Sequence, residues 1–205
     1  MGYTHYYYVN KKGIPPSVWA AICADVRKLI AKLPAHSTTA GGYHSSEPLA
    51  ITYEDDDPRP PQIDVERIRF NGTGYDDASH ETFILERKPP SNNWGRDEDG
   101  MAFDCCKTAR KPYDLVVCAA LIVARAHAGP LIDVSSDGDL EDWLPALTWT
   151  AEVLAPTLPY IRAFSEIFKV EKVPYRKLKT GAQFIQWLQT TKRLGALERS
   201  QEPVF

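Results

Sequence analysis

The chain lacks the features that mark several common classes of protein. Its 205 residues include four cysteines but no Cys-x-x-Cys pair, which excludes the usual zinc-finger pattern. The formal net charge of −3 gives no overall attraction to nucleic acid, so any anion site must be a local basic patch. The first residues lack the basic and apolar regions of a signal peptide, and no run approaches the length of a membrane-spanning helix. We therefore expect a soluble protein with reduced thiols, unlikely to bind nucleic acid or a membrane.

The composition is that of one globular domain. Hydrophobic residues make up 43% and charged residues 25%, enough for a sizeable core. We predict a single domain over residues 1–205, with its core in residues 1–150 and a helical C-terminal extension over 151–205. Helical and strand patterns are mixed without strict alternation, which favours the α+β class. The expected architecture is a largely antiparallel sheet of about four to five strands packed against helices.

The hydrophobic periodicity predicts where the elements lie. Strands are expected over residues 3–9, 49–53, 65–70, 80–87 and 131–134, and helices over 15–33, 112–128, 157–168 and 181–194. The helix over 112–128 is apolar nearly all round, so it should be buried on more than one side. A further helical segment follows the turn SSDG, where we expect Ser136 or Asp137 to be the N-cap.

The basic turn KTARKP, just before the apolar helix, is the first candidate site. Free N–H groups at a helix start attract an anion, and Lys107, Thr108, Arg110 and Lys111 could bind one there. The alternative is a solvated basic loop whose helix dipole is already answered by Asp114 in the first turn.

The strand SHETFILERK and the aromatic N-terminus offer further candidates. Alternation places Phe83 and Leu85 on the core face of the strand, so His80 lies on the other face, where it could act as acid, base or metal ligand. The N-terminal tyrosines, Tyr7 among them, could pack in the core or stack on a ligand ring.

Two rival functions remain open from the residues alone. His80, Asp104, Asp114 and Asp137 could build a metal site for a hydrolase or nucleotide-processing enzyme, although no spacing demands it. The acidic loop Glu54–Asp57 could instead meet a basic surface of a host protein.

The segments MGYTHYYY, HETFILERK and FDCCKTARKPYDLVVCA resemble a family of small bacteriophage and prophage proteins that begin MGYTHY and carry a segment close to FDFCKTARKPYD. The resemblance covers about residues 1–145. It implies a phage-type accessory protein in the cytoplasm of a bacterial host, and it assigns no catalytic residues. On this basis the leading hypothesis is a non-enzymatic binder of a small anionic, nucleotide-like ligand, with no cofactor. A host protein and a second copy of the chain are further candidate partners.

Overall fold

The structure is a computed structural model of the chain. It describes residues 2–36, 49–74, 77–90, 100–178 and 180–200, with side chains described as far as residue 191. The helices and strands in chain order are β1 (Thr4–Asn10), α1 (Pro16–Ile30), β2 (Ile51–Thr52), β3 (Gln62–Ile63), β4 (Arg67–Gly72), β5 (Phe83–Glu86), β6 (Met101–Lys107), α2 (Asp114–Ala128), β7 (Ile132–Ser136), α3 (Leu140–Val153), α4 (Leu158–Ile167) and α5 (Gly181–Ser200).

The strands form two antiparallel sheets. In the first, β1 lies between β6 and β7. In the second, β4 pairs with β2 and β3 and also with β5. The predicted α+β class is confirmed, although the strands divide between two sheets. Strands β3 and β6 were not predicted, because β3 has two residues and because exposed and buried positions do not alternate regularly along β6.

Helix α2 is the central axis of the fold. Twelve of its fifteen residues are buried, and α1, α3 and α4 all pack against it. The prediction that no run approaches membrane-spanning length was wrong, since the 18 residues Asp114–Leu131 have a mean hydropathy of 1.5. However, 67% of this segment is buried inside the protein, as is usual for the core helix of a soluble domain.

The polar residues of α2 pair with other helices. Near its C-terminal end, His127 Nε2 lies 2.7 Å from Asp25 Oδ2 on α1. The Tyr160 hydroxyl on α4 donates to the same carboxylate oxygen over 2.7 Å, and Lys28 Nζ donates to Oδ1 over 2.7 Å. One nearly buried carboxylate thus joins α1, α2 and α4.

The Asp25 cluster predicts a component of acid sensitivity. Burial alone would raise the pKa of Asp25, but the hydrogen bonds from Lys28, Tyr160 and His127 hold it below the ordinary value of 3.8. A carboxyl group whose pKa is depressed by folding stabilises the protein above its unfolded pKa, and this contribution is lost as the pH falls through the folded value. We expect Asp25→Asn to lower stability at pH 7 and to flatten the fall in stability below about pH 4. Urea unfolding between pH 7 and pH 2 measures both effects. The exposed control Asp56→Asn should leave the curve unchanged.

Candidate functional site

The most unusual feature of the interior is a hydrogen-bonded pair of buried ionisable groups. Alternation along β1 turns His5, with Tyr7 and Val9, towards the core. There His5 Nε2 lies 2.6 Å from Oδ1 of Asp114, the first residue of α2. His5 is 0% exposed and Asp114 is 1% exposed. A buried carboxylate requires hydrogen-bond donors around it. The donors to Asp114 lie in two of the segments that resemble the bacteriophage family.

Two hydroxyl groups complete the network around the pair. Thr108 Oγ1 donates to Asp114 Oδ1 over 2.5 Å, and Ser136 Oγ lies 2.9 Å from His5 Nδ1. Ser136 Oγ also accepts from the Gly138 N–H at 2.9 Å and from Trp143 Nε1 at 3.4 Å. Because an ionised carboxylate only accepts, Nε2 of His5 must carry a proton. Ser136 Oγ can donate its own proton to Nδ1 or accept one from it, according to the tautomer of His5.

Cys118 lies one helical turn after Asp114, and its side chain lies beside the His5–Asp114 pair. Its Sγ is 3.7 Å from His5 Nε2 and 3.8 Å from Asp114 Oδ2. Burial, followed by the charge of Asp114, raises the pKa of this thiol well above its ordinary value. Cys118 is therefore a poor nucleophile here, and at 1% exposure it is also out of reach of a substrate.

Aromatic rings enclose the cluster. The rings of Tyr3 and Trp143 approach the His5 ring edge-on, with centroids 5.2 and 5.1 Å away. The Tyr3 hydroxyl is buried and has no hydrogen-bond partner among the described residues. It packs so closely on Gly138 that a Cβ there would lie 2.1 Å from the hydroxyl oxygen, so position 138 has no room for a side chain.

The basic turn forms its ion pairs within the protein. Arg110 donates to both oxygens of Asp142 on α3, at 2.5 and 3.1 Å, and its guanidinium lies 3.9 Å from the centre of the Tyr3 ring. Lys111 pairs with Asp77. Ala109 and Arg110 both have positive φ, 51° and 61°, which is an uncommon backbone for residues other than glycine.

Two further groups of the predicted anion site form hydrogen bonds within the protein. Thr108 is 0% exposed and its hydroxyl is bonded to Asp114. The Lys107 N–H donates to Glu81 Oε2 over 2.6 Å. The Thr108 hydroxyl is thus bonded to Asp114, the acidic residue in the first turn of α2.

His80 and Tyr7 lie in quite different surroundings. His80 is exposed, and its carbonyl accepts from Asn71 Nδ2 at 3.0 Å. Tyr7 is 1% exposed, and its hydroxyl donates to the Ile84 carbonyl over 2.6 Å. Tyr7 therefore packs in the core and has no free face for a ligand. The faces of β5 are as predicted, with Phe83 and Leu85 buried.

The structure does not group the residues proposed for a metal-assisted enzyme as expected. Asp137 accepts from the Thr4 N–H at 3.0 Å and from the Tyr6 hydroxyl at 3.1 Å. Asp104 lies opposite Tyr7 in the β1–β6 register, and burial raises its pKa. Among the described residues, the one group of three or more metal-binding side chains with donor atoms within 4.8 Å of one another is His5, Asp114 and Cys118. It shares only Asp114 with the predicted set.

Contacts in the structure bear on two further expectations. The N-cap of α3 is Asp139, which forms a reciprocal capping box with Asp142, and neither Ser136 nor Asp137 has that role. In the acidic loop Glu54–Asp57, the two end residues form ion pairs with Arg69 and Arg59 respectively, which reduces the negative charge available to a partner.

A cleft between α1 and the β3–β4 turn is the second candidate site. Its volume is about 620 Å³, within the range of small-molecule sites. Trp19 and Cys23 line it from α1, and Val65, which is 77% exposed, lines it from the turn. Arg27 and Arg87 add two guanidinium groups, and Asp64 and Glu66 also line the cleft.

No family model, curated protein or solved structure matches this chain. Its function must therefore be argued from its own residues.

Sequence reasoning missed His5, Cys118 and Ser136 as members of a site. One signal was available, because Asp114 is one of the few strongly polar residues in an otherwise apolar helix and a buried carboxylate requires a partner. The identity of that partner depends on the β1–β7 register, in which His5 lies opposite Ser136. Spacing along the chain does not provide this register.

The buried pair makes a prediction about stability. Asp114→Asn removes the charge that His5 and Thr108 surround, so both hydrogen bonds lose their charged acceptor. We expect a loss of about 1.5–3 kcal/mol in the free energy of unfolding. Denaturant unfolding at pH 7 measures it. A loss no larger than that of the exposed variant Asp56→Asn would mean that the pair contributes little.

Proposed function

We propose that this protein is a non-enzymatic binder of a small organic anion, with nucleotides as the first class to test. The observation that supports this proposal is the cleft between α1 and the β3–β4 turn, which combines apolar lining with two arginines. The ligand class is the one that the sequence suggested, but the proposed site is the cleft and not the basic turn. Arg110 and Lys111 of the basic turn have carboxylate partners within the chain.

The two arginines retain free donors for an anion. Arg27 donates to the Ile63 carbonyl, and Arg87 donates to the carbonyls of Val65 at 2.9 Å and Ile14 at 3.4 Å. In the described part of the chain neither guanidinium forms an ion pair with a carboxylate. A guanidinium has five N–H donors, so each arginine can still bind phosphate or carboxylate oxygens.

The apolar part of the cleft suits the body of such a ligand. Val65 stands in solvent at the rim, and the Trp19 indole N–H donates to the Asp64 carbonyl at 2.8 Å, which fixes the ring at the cleft. A flat ring placed against Val65 would remove apolar surface from water, a favourable change of about 25 cal/mol per Å². Because α1 and the turn are already held together by the arginines, little ordering is needed on binding.

The proposed setting is that of a phage-type accessory protein in a bacterial cytoplasm. A protein of this kind could sequester or sense a metabolite of the host without transforming it. This setting rests on the sequence resemblance alone, whereas the ligand class rests on the cleft.

The proposal is tested by thermal unfolding and calorimetry with ribonucleoside mono- and triphosphates, using inorganic phosphate to separate the anion from the ring. We expect at least one nucleotide to raise the melting temperature, since a ligand at 100 times its Kd adds about 2.7 kcal/mol of stability. Arg27→Ala and Arg87→Ala should each abolish most of the shift.

The matched control is Arg59→Ala, which removes an arginine that pairs with Asp57 and does not line the cleft. It should keep the full shift. If no nucleotide binds the wild-type protein, or if the three variants lose the shift equally, the proposed function is contradicted.

A further inference from the structure

The His5, Asp114 and Cys118 cluster offers the donor set of a transition-metal site. It supplies one imidazole nitrogen, one carboxylate oxygen and one thiol sulfur, all within 4.8 Å of one another. These are the three kinds of ligand that Zn²⁺ takes in proteins. Asp114 and Cys118 are four residues apart on α2, so they occupy the same helix face, and His5 approaches from β1.

The spacing of the donors is close to that of a tetrahedral site. Zinc bonds of about 2.0 Å to nitrogen or oxygen and 2.3 Å to sulfur place neighbouring ligands about 3.3–3.6 Å apart. The sulfur lies 3.7 Å from His5 Nε2 and 3.8 Å from Asp114 Oδ2, close to this range. The 2.6 Å separation of His5 Nε2 and Asp114 Oδ1 is shorter, because a proton bridges them. Replacing that proton by a metal requires the pair to open by about 0.7 Å.

The Asp114 carboxylate and the His5 imidazole already have supporting hydrogen bonds. Thr108 Oγ1 holds the Asp114 carboxylate at 2.5 Å, and Ser136 Oγ lies 2.9 Å from His5 Nδ1, the ring nitrogen that would face away from the metal. Metal-binding histidines and carboxylates are usually oriented by partners of this kind.

We infer that His5, Asp114 and Cys118 form a buried site for Zn²⁺ or a similar divalent ion, which would link β1 to the start of α2. The Cys118 thiol would release one proton on binding. The imidazole would bind the ion through Nε2 and carry its proton on Nδ1, where Ser136 Oγ accepts it. Ser136 would then give up its long 3.4 Å contact with Trp143 Nε1.

The ion would have a structural role. All three ligands are buried, with exposures of 0%, 1% and 1%, so a substrate has no access to the metal. The ligands come from positions 5, 114 and 118, and they come together only as the chain folds, so binding would be coupled to folding. This site is separate from the cleft between α1 and the β3–β4 turn, and either proposal can fail without the other.

The test is the metal content of the full-length protein after expression in zinc-supplemented medium. We expect about one zinc ion per chain by mass spectrometry. Replacing zinc by Co²⁺ should produce a thiolate-to-cobalt charge-transfer band, which reports directly on the sulfur ligand. Cys118→Ser should lose both the metal and the band.

Cys23→Ser is the matched control, because Cys23 is also a buried free thiol but bonds to the Asp64 carbonyl. It should retain the metal. A second variant, Ser136→Ala, leaves the three ligands in place and should weaken zinc binding about 10- to 100-fold in competition with a chelator. Wild-type protein without stoichiometric zinc and without the cobalt band, even after refolding with each metal, would overturn the inference. A Cys118→Ser protein that binds zinc as tightly as wild type would also overturn it.

Discussion

The burial of the Asp114 carboxylate is the constraint on which much of this structure depends. A carboxylate that is 1% exposed must be surrounded by donors, because it would otherwise bear a large desolvation penalty. His5 and Thr108 provide those donors from two distant parts of the chain, and Ser136 positions the His5 ring. The positions of β1, β7 and the turn before α2 are therefore coupled through one side chain.

The same constraint ties the basic turn to the interior of the protein. Its hydroxyl is bonded to the buried carboxylate, and Arg110 is held by Asp142 and the Tyr3 ring. The turn fixes the start of α2. This arrangement requires positive φ at Ala109 and Arg110, neither of which is glycine. We therefore propose that an external ligand binds in the cleft between α1 and the β3–β4 turn, which contains two arginines. We propose that a metal binds at the buried cluster of His5, Asp114 and Cys118.

The sequence was most informative where one local pattern decided the structure. The helix predicted over 112–128 is α2, because a segment apolar nearly all round has few alternatives to burial, and alternation assigned Phe83 and Leu85 to the core. The site was less predictable, since His5 meets Asp114 and Ser136 through contacts more than 100 residues apart in the chain. The sequence also suggests that Lys107, Arg110 and Lys111 share a ligand, but the side chains of Arg110 and Lys111 pair with different acids, Asp142 and Asp77.

His5 and Asp114 are expected to stabilise the fold as a pair. A double-mutant cycle with His5→Gln, Asp114→Asn and the combined variant measures their coupling most directly. We predict that the free energies of unfolding are not additive, with a coupling of at least about 1 kcal/mol in metal-free protein. Additive losses would contradict the claim and would indicate that each side chain is held by its other neighbours.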